Sequence, residues 1–222
     1  PGPDGVHPIW LKPAAAELAP VATKLFKDIA VSRDIPHDWR GGVIAALHKL
    51  GSPKLCDNYR GITPLDYLGK VFGNLLLRMM SDAMQGKVPQ HQCAWKRDEV
   101  KLGTLPGILA SRVWFAKAAR QKKPAAVIFV DVVKAFDKVD REKLFGNLCG
   151  EPGILERAGV PSDVCHLIAS MHSASWLGVR DSDRRVRTKK GVRQGCVLGA
   201  ALYMAFQADI SEKLHCRLRD AG

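Results

Sequence analysis

An acid stands at the end of an apolar run in residues 126–140, AVIFVDVVKAFDKVD. Val127, Ile128, Phe129 and Val130 lead straight into Asp131. A short unbroken apolar run rich in β-branched and aromatic residues reads as a strand, over 125–131, buried on both faces. A carboxylate where such a strand leaves the core is held rigidly and still reaches water. Mg²⁺ takes oxygen ligands in near-octahedral geometry, so this is a suitable place for a metal ligand. Asp is also a common turn residue, and on residue type alone Asp131 serves equally well as the start of a turn.

A second set of residues points to phosphate. Arg180, Arg184, Arg185, Arg187, Lys189, Lys190 and Arg193 crowd into 14 positions. Such a run is either a solvated hairpin or a track for a nucleic-acid backbone, whose contacts position a duplex without specifying sequence. The whole chain carries 34 basic and 22 acidic residues, net +12 over 222 residues. That balance favours a polyanionic partner, nucleic acid ahead of an anionic membrane surface. With 46% hydrophobic and 25% charged residues the composition is that of an ordinary globular domain. No apolar run approaches a membrane span, so no membrane partner is expected. The chain opens on Pro1 and shows no leader, which reads as a segment of a longer protein. Six cysteines at irregular spacing include no C-x-x-C pair. Neither a disulfide framework nor a zinc site is expected. Reduced thiols fit an intracellular compartment, nucleus or cytoplasm.

These residues need elements to hold them. Leu18, Val21, Ala22, Leu25, Phe26 and Ile29 make an amphipathic stripe, in a helix that Pro20 could open. Trp39–Lys49 and Tyr59–Thr63 read as a hairpin around Gly51-Ser52-Pro53, with Lys49, Lys54 and Arg60 near its tip. A helix over 70–85 carries Val71, Phe72, Leu75, Leu76, Met79, Met80 and Ala83, with Gly86 as its C-cap. Another over 103–120 turns Leu105, Ile108, Leu109, Val113 and Ala116 inward. Asp140 caps a helix with Leu144, Phe145 and Leu148, and Ser162 or Asp163 caps the next. Residues 176–180 and 184–188 alternate around Asp181-Ser182-Asp183 as a second hairpin. A final helix follows Gly195 with Leu198, Leu202, Phe206 and Ile210. Helices interleaved with few strands predict an α+β fold with a small mixed or antiparallel sheet.

Five blocks, in order along nearly the whole chain, resemble reverse transcriptases of the non-LTR (LINE-like) retrotransposon type. PGPDG with Lys12 resembles that group's N-terminal motif. HKLGSPKLCDNYRGITPLDYLGKVF resembles its fingers motifs, and QCAWKRDE its Q-x-G-F-R block, with Ala94, Trp95 and Lys96 as departures. FVDVVKAFDKVDREKL resembles the first catalytic motif, D-x-x-x-A-F-D. GVRQGCVLGAALYMAF resembles the G-x-R-Q-G-C-P-L-S-P block, with Val197, Gly199 and Ala200 in place of Pro, Ser and Pro.

The resemblance implies roles residue by residue. Asp131 matches the metal-binding catalytic carboxylate. Phe136 matches the ring beneath the sugar of an incoming nucleotide, where it would exclude a 2′-OH. Gln194 with Gly195 matches the element that packs on the nucleotide and template base. Arg60 matches the arginine that holds the triphosphate, with Lys49 beside it. Arg185, Arg187, Lys189, Lys190 and Arg193 would follow the nucleic-acid backbone. Asp137 would be structural, fixing the turn into the next element. The implied fold is a fingers and partial palm arrangement, with 1–95 mainly fingers, 96–222 mainly palm and no thumb. The implied partners are RNA template, DNA primer and dNTPs, with Mg²⁺ (or Mn²⁺) in the intact parent.

One element of the family pattern is not found. The second catalytic motif is an aromatic-x-Asp-Asp hairpin, and residues 1–222 contain no Asp-Asp pair. Nucleotidyl transfer by two metals needs several carboxylates on rigid elements. The expectation is therefore an RNA-directed DNA polymerase segment, cut before that motif and inactive as an isolated fragment. The other reading is a non-catalytic, nucleic-acid-binding remnant of a degenerate retroelement.

Overall fold

The computed structural model describes residues 2, 4–84, 104–146, 150–180, 182 and 184–220. The chain enters through a loop and a single turn, α1 (Pro8–Leu11), then α2 (Ala15–Ser32). Strand β1 (Gly41–His48) and strand β2 (Tyr59–Ile62) form the first hairpin, followed by α3 (Tyr67–Ala83) and α4 (Leu105–Arg120). The short helices α5 (Arg141–Phe145) and α6 (Ile154–Arg157) precede α7 (Ser162–His172). The second hairpin is β3 (Trp176–Val179) and β4 (Arg185–Arg187), and α8 (Gly199–Asp220) follows.

The sheet order is β2-β1-β3-β4. Both hairpins are antiparallel and they join through a parallel β1–β3 pair that sets Gly41 opposite Trp176. This is the α+β architecture with a small mixed sheet that the sequence predicts. The two hairpins fall where the turn residues put them; Asp181 and Asp183 at the second tip lie outside the described residues, as do QCAWKRDE, Gly86 and Leu148.

Helices α3, α5, α6, α7 and α8 enclose the core. Phe72, Leu76 and Met80 of α3 meet Ile168 and Met171 of α7, with Leu144, Leu155, Leu198 and Leu202 in the same cluster. Each such side chain contributes about 1.5–3 kcal/mol by leaving water. Phe26, Trp39 and Phe72 extend the core as an aromatic cluster, with centroids 5.2–6.3 Å apart. Asp140 caps α5, its carboxylate accepting from the N–H groups of Glu142 and Lys143.

Several expectations are corrected. Residues 125–131 form no strand, and Ile128, Phe129 and Val130 are 86%, 92% and 84% exposed. A strand requires a ladder partner for its N–H and C=O groups, and none of the four sheet strands pairs with this segment. Helix α4 forms, yet Leu105, Ile108, Leu109 and Val113 are all exposed, because no described element packs against that stripe. Val71, Leu75 and Met79 likewise sit on the outer side of α3. Helix α2 starts at Ala15, not at Pro20, since Ala15, Ala16 and Glu17 form helix readily and Glu17 suits the positive helix end. Of its stripe only Ile29 is fully buried. Pro161 occupies the N-cap of α7, so neither Ser162 nor Asp163 caps it.

Candidate functional site

The loop over 191–196 is stitched between two neighbours. On one side Gly191 N–H donates to Val139 C=O and Val192 N–H to Phe136 C=O, both at 2.8 Å. On the other, Thr63 N–H donates to Gln194 C=O at 2.8 Å. Two glycines permit this closeness. Gly191 has φ +80, and a Cβ there would lie 2.8 Å from Asp137 Cα; Gly195 has φ +105, and a Cβ would lie 2.6 Å from Thr63 C=O. The loop is thereby fixed against the end of β2 and against the turn that carries Phe136.

The result is an open cleft of about 960 Å³. Lys49 and Arg60 enter it from the first hairpin, Asp131 and Phe136 from the segment before α5, and Gln194 from the stitched loop. The five residues that the resemblance assigns to metal and nucleotide thus line one surface, although they come from three separated stretches of sequence. Asp131 is exposed and reaches the cleft from an irregular segment instead of a buried strand. Phe136 is half-buried and stacks on Tyr203 of α8, centroids 5.3 Å apart and planes 19° apart. The stacking sets the orientation of the ring in the cleft wall.

The rim is positively charged. Lys49 Nζ donates to Asp57 C=O at 3.2 Å, and Lys134 Nζ lies 3.3 Å from the Asp57 carboxylate. A smaller cavity of about 230 Å³ shares Gln194 with the cleft and runs along the sheet face past Gly61, Thr63, Leu177 and Lys190. Asp137 lines that cavity, and its N–H donates to Lys134 C=O at 3.0 Å.

Arg185, Arg187, Lys189 and Lys190 are exposed on and beside β4. The Arg185 guanidinium also lies 4.3 Å above the Trp176 ring, a cation–π contact that orients it. Arg193 differs from them. It is 5% exposed, and its guanidinium donates to the carbonyls of Trp39 and Gly41 at 3.0 and 3.3 Å and to Met171 at 3.5 Å. A side chain so enclosed cannot track a nucleic-acid backbone, so Arg193 is corrected to a clamp beneath the cleft. Burial lowers its pKa.

Arg141 plays a parallel part that nothing in its neighbouring residues signals. It donates to the carbonyls of Gly191, His172 and Thr188 and to Thr188 Oγ1, at 2.7–3.0 Å. Burial, then the Arg193 charge, pulls its pKa down to about 10. Between the two lies His172, wholly buried, whose Nδ1–H donates to Ile168 C=O at 2.8 Å. Burial and the charges of Arg193 and Arg141 depress it to about 3, so it is neutral. A lone His facing apolar helices carries no sequence signal that separates it from other core residues.

A metal needs more than this cleft offers. Its carboxylates are Asp131 and Asp57, and Asp57 is engaged by Lys134. Among the described residues no group of three or more His, Cys, Asp or Glu side chains could hold an ion. The described residues therefore do not fit a two-metal centre by themselves, since Mg²⁺ binds through several oxygens. Among them, too, no helix is long and apolar enough to cross a membrane.

The family model for reverse transcriptase (RNA-dependent DNA polymerase) matches residues 47–219. The chain is similar to the probable RNA-directed DNA polymerase from transposon BS of Drosophila melanogaster, 25% identical over 228 residues, covering 95% of the chain and 23% of that protein. It is similar to the RNA-directed DNA polymerase from mobile element jockey of Drosophila melanogaster, 30% identical over 186 residues, covering 79% of the chain and 19% of that protein. The jockey protein of Drosophila funebris is 31% identical over 176 residues, covering 76% and 18%. The chain thus spans less than a quarter of the length of these curated relatives.

Proposed function

This chain belongs to the reverse transcriptase family, and from that premise we propose that it carries the nucleotide-handling part of an RNA-directed DNA polymerase of a mobile element. The observation that carries this reading is the convergence of Lys49, Arg60, Asp131, Phe136 and Gln194 on one cleft. In the proposed arrangement residues 1–95 act mainly as fingers and 96–222 mainly as palm. Arg60 forks onto the phosphates of a dNTP and Lys49 adds a point charge. The Phe136 ring, braced by Tyr203, lies under the sugar and excludes a 2′-OH. Gln194 packs on the base. Arg185, Arg187, Lys189 and Lys190 follow the phosphates of an RNA template and DNA primer.

Phosphoryl transfer depends chiefly on positioning and charge stabilisation. Residues 1–222 supply Asp131 to that chemistry and no Asp-Asp pair. Residues 1–222 alone are therefore expected to hold a nucleotide without extending a primer.

Photolabelling with 8-azido-dATP tests the reading. Adducts mapped to 131–136 or 194–196, suppressed by excess dATP, support it. Adducts confined elsewhere overturn it. Retained binding to an RNA–DNA hybrid without any such labelling would instead favour a non-catalytic nucleic-acid-binding remnant. Primer extension that needs Asp131 would overturn the expected inactivity of residues 1–222.

A further inference from the structure

Among the described residues, Lys134 stands apart from the other non-glycine residues with positive φ. Arg33 and Lys122 close the ends of α2 and α4, where a left-handed residue is common, and Ala174 lies in the short link between α7 and β3. Lys134, at φ +54, instead lies between Asp131 and Phe136. Its carbonyl accepts from Asp137 and Lys138 N–H at 3.0 and 3.1 Å, which fixes the turn. Non-glycine residues held in this region cluster at ligand sites.

The Lys134 ammonium is turned to the cleft rim, 3.3 Å from the Asp57 carboxylate. That pair joins the first hairpin to the Asp131 segment across 77 positions of sequence. Lys49 holds the same Asp57 through its carbonyl. The Asp57 carboxylate thus pairs with Lys134 at the rim of a cleft that Lys49 and Arg60 also line. Both members of the pair are mostly exposed, 63% and 87%. Exposed pairs are weakly held, and a polyphosphate carries several charges where Asp57 carries one, so it attracts the ammonium more strongly.

We infer that Lys134 is a further phosphate-binding residue of the nucleotide cleft, and that Asp57 is its placeholder anion, exchanged for the triphosphate on binding. This rests on the nucleotide reading above. The pair acts as an electrostatic filter: ligands with a single phosphate displace Asp57 poorly, and those with a triphosphate displace it well.

The test uses the 222-residue chain, with inorganic tripolyphosphate, dATP and dAMP titrated calorimetrically against wild type, Lys134→Gln, Asp57→Asn and the double variant. Both sites are on the surface, and circular dichroism checks the fold. Lys134→Gln is expected to weaken tripolyphosphate and dATP about tenfold and dAMP little, while Asp57→Asn tightens the first two severalfold. The double variant should match Lys134→Gln, because Asp57 competes only through Lys134. Binding by wild type that Lys134→Gln leaves unchanged would overturn the inference alone. So would Asp57→Asn weakening binding as much as Lys134→Gln, which marks a scaffold pair. Wild type that binds neither dATP nor tripolyphosphate would overturn the nucleotide reading, and this inference with it.

Discussion

The N–H of Val192 donates to the carbonyl of Phe136 at 2.8 Å, so the two blocks that meet in the cleft are fastened through backbone. Phe136 and Gln194 keep their spacing because this bond, the Gly191–Val139 bond and the Thr63–Gln194 bond act together. Gly191 is the weak point. Its φ of +80 disfavours a side chain, and a Cβ would meet Asp137 Cα at 2.8 Å. Gly191→Ala should cost about 2 kcal/mol or more. Urea denaturation checks this through a lower midpoint at unchanged slope.

Arg193 and the β4 cations should separate in two assays. Arg193→Ala leaves carbonyls of Trp39, Gly41 and Met171 without a charged donor, and should lower stability by about 3 kcal/mol. Arg187→Gln, Lys189→Gln and Lys190→Gln should change stability by less than about 0.5 kcal/mol each. Each should instead reduce the slope of log affinity against log salt by about 0.7–0.9 where a phosphate contact is lost. Affinity for an RNA–DNA hybrid at several salt concentrations gives the comparison.

The sequence shows which residues converge more clearly than it shows what packs around them. The five residues that motif order groups, Lys49, Arg60, Asp131, Phe136 and Gln194, line one cleft, and the hairpins followed from turn residues and alternation. The direction of Arg193 was not legible, because a basic residue next to a basic run gives no sign that it turns inward. Nor was the strand at 125–131 settled by its apolar run, since pairing depends on a partner strand distant in sequence. Helix α4 shows the same limit: periodicity marks a face and does not supply what covers it.

His172 makes stability depend on pH. Its folded pKa of about 3 lies below the ordinary value of 6.5, so the unfolded chain binds more protons between these values. The contribution of neutral His172 is fully present above pH 6.5 and is lost as pH falls towards 3, at up to about 1.4 kcal/mol per pH unit. His172→Asn should flatten that loss between pH 6.5 and pH 4.5, measured as the change in urea midpoint. Equal slopes in both proteins would contradict the burial of a neutral ring.

Phe136→Val removes the ring under the proposed sugar site and its stacking on Tyr203. The preference for dATP over ATP should narrow about tenfold, or about 1.4 kcal/mol. Competitive titration of the two nucleotides against the variant and the wild type reads it.

The most direct measurement is the affinity of the chain for dATP before and after Arg60→Ala. Arg60 lies in β2 and lines the cleft, and loss of a guanidinium–phosphate fork should weaken binding at least about tenfold, roughly 1.4 kcal/mol or more. The account predicts saturable dATP binding by the wild-type chain and that loss in the variant. Equal affinity in the two proteins would contradict it.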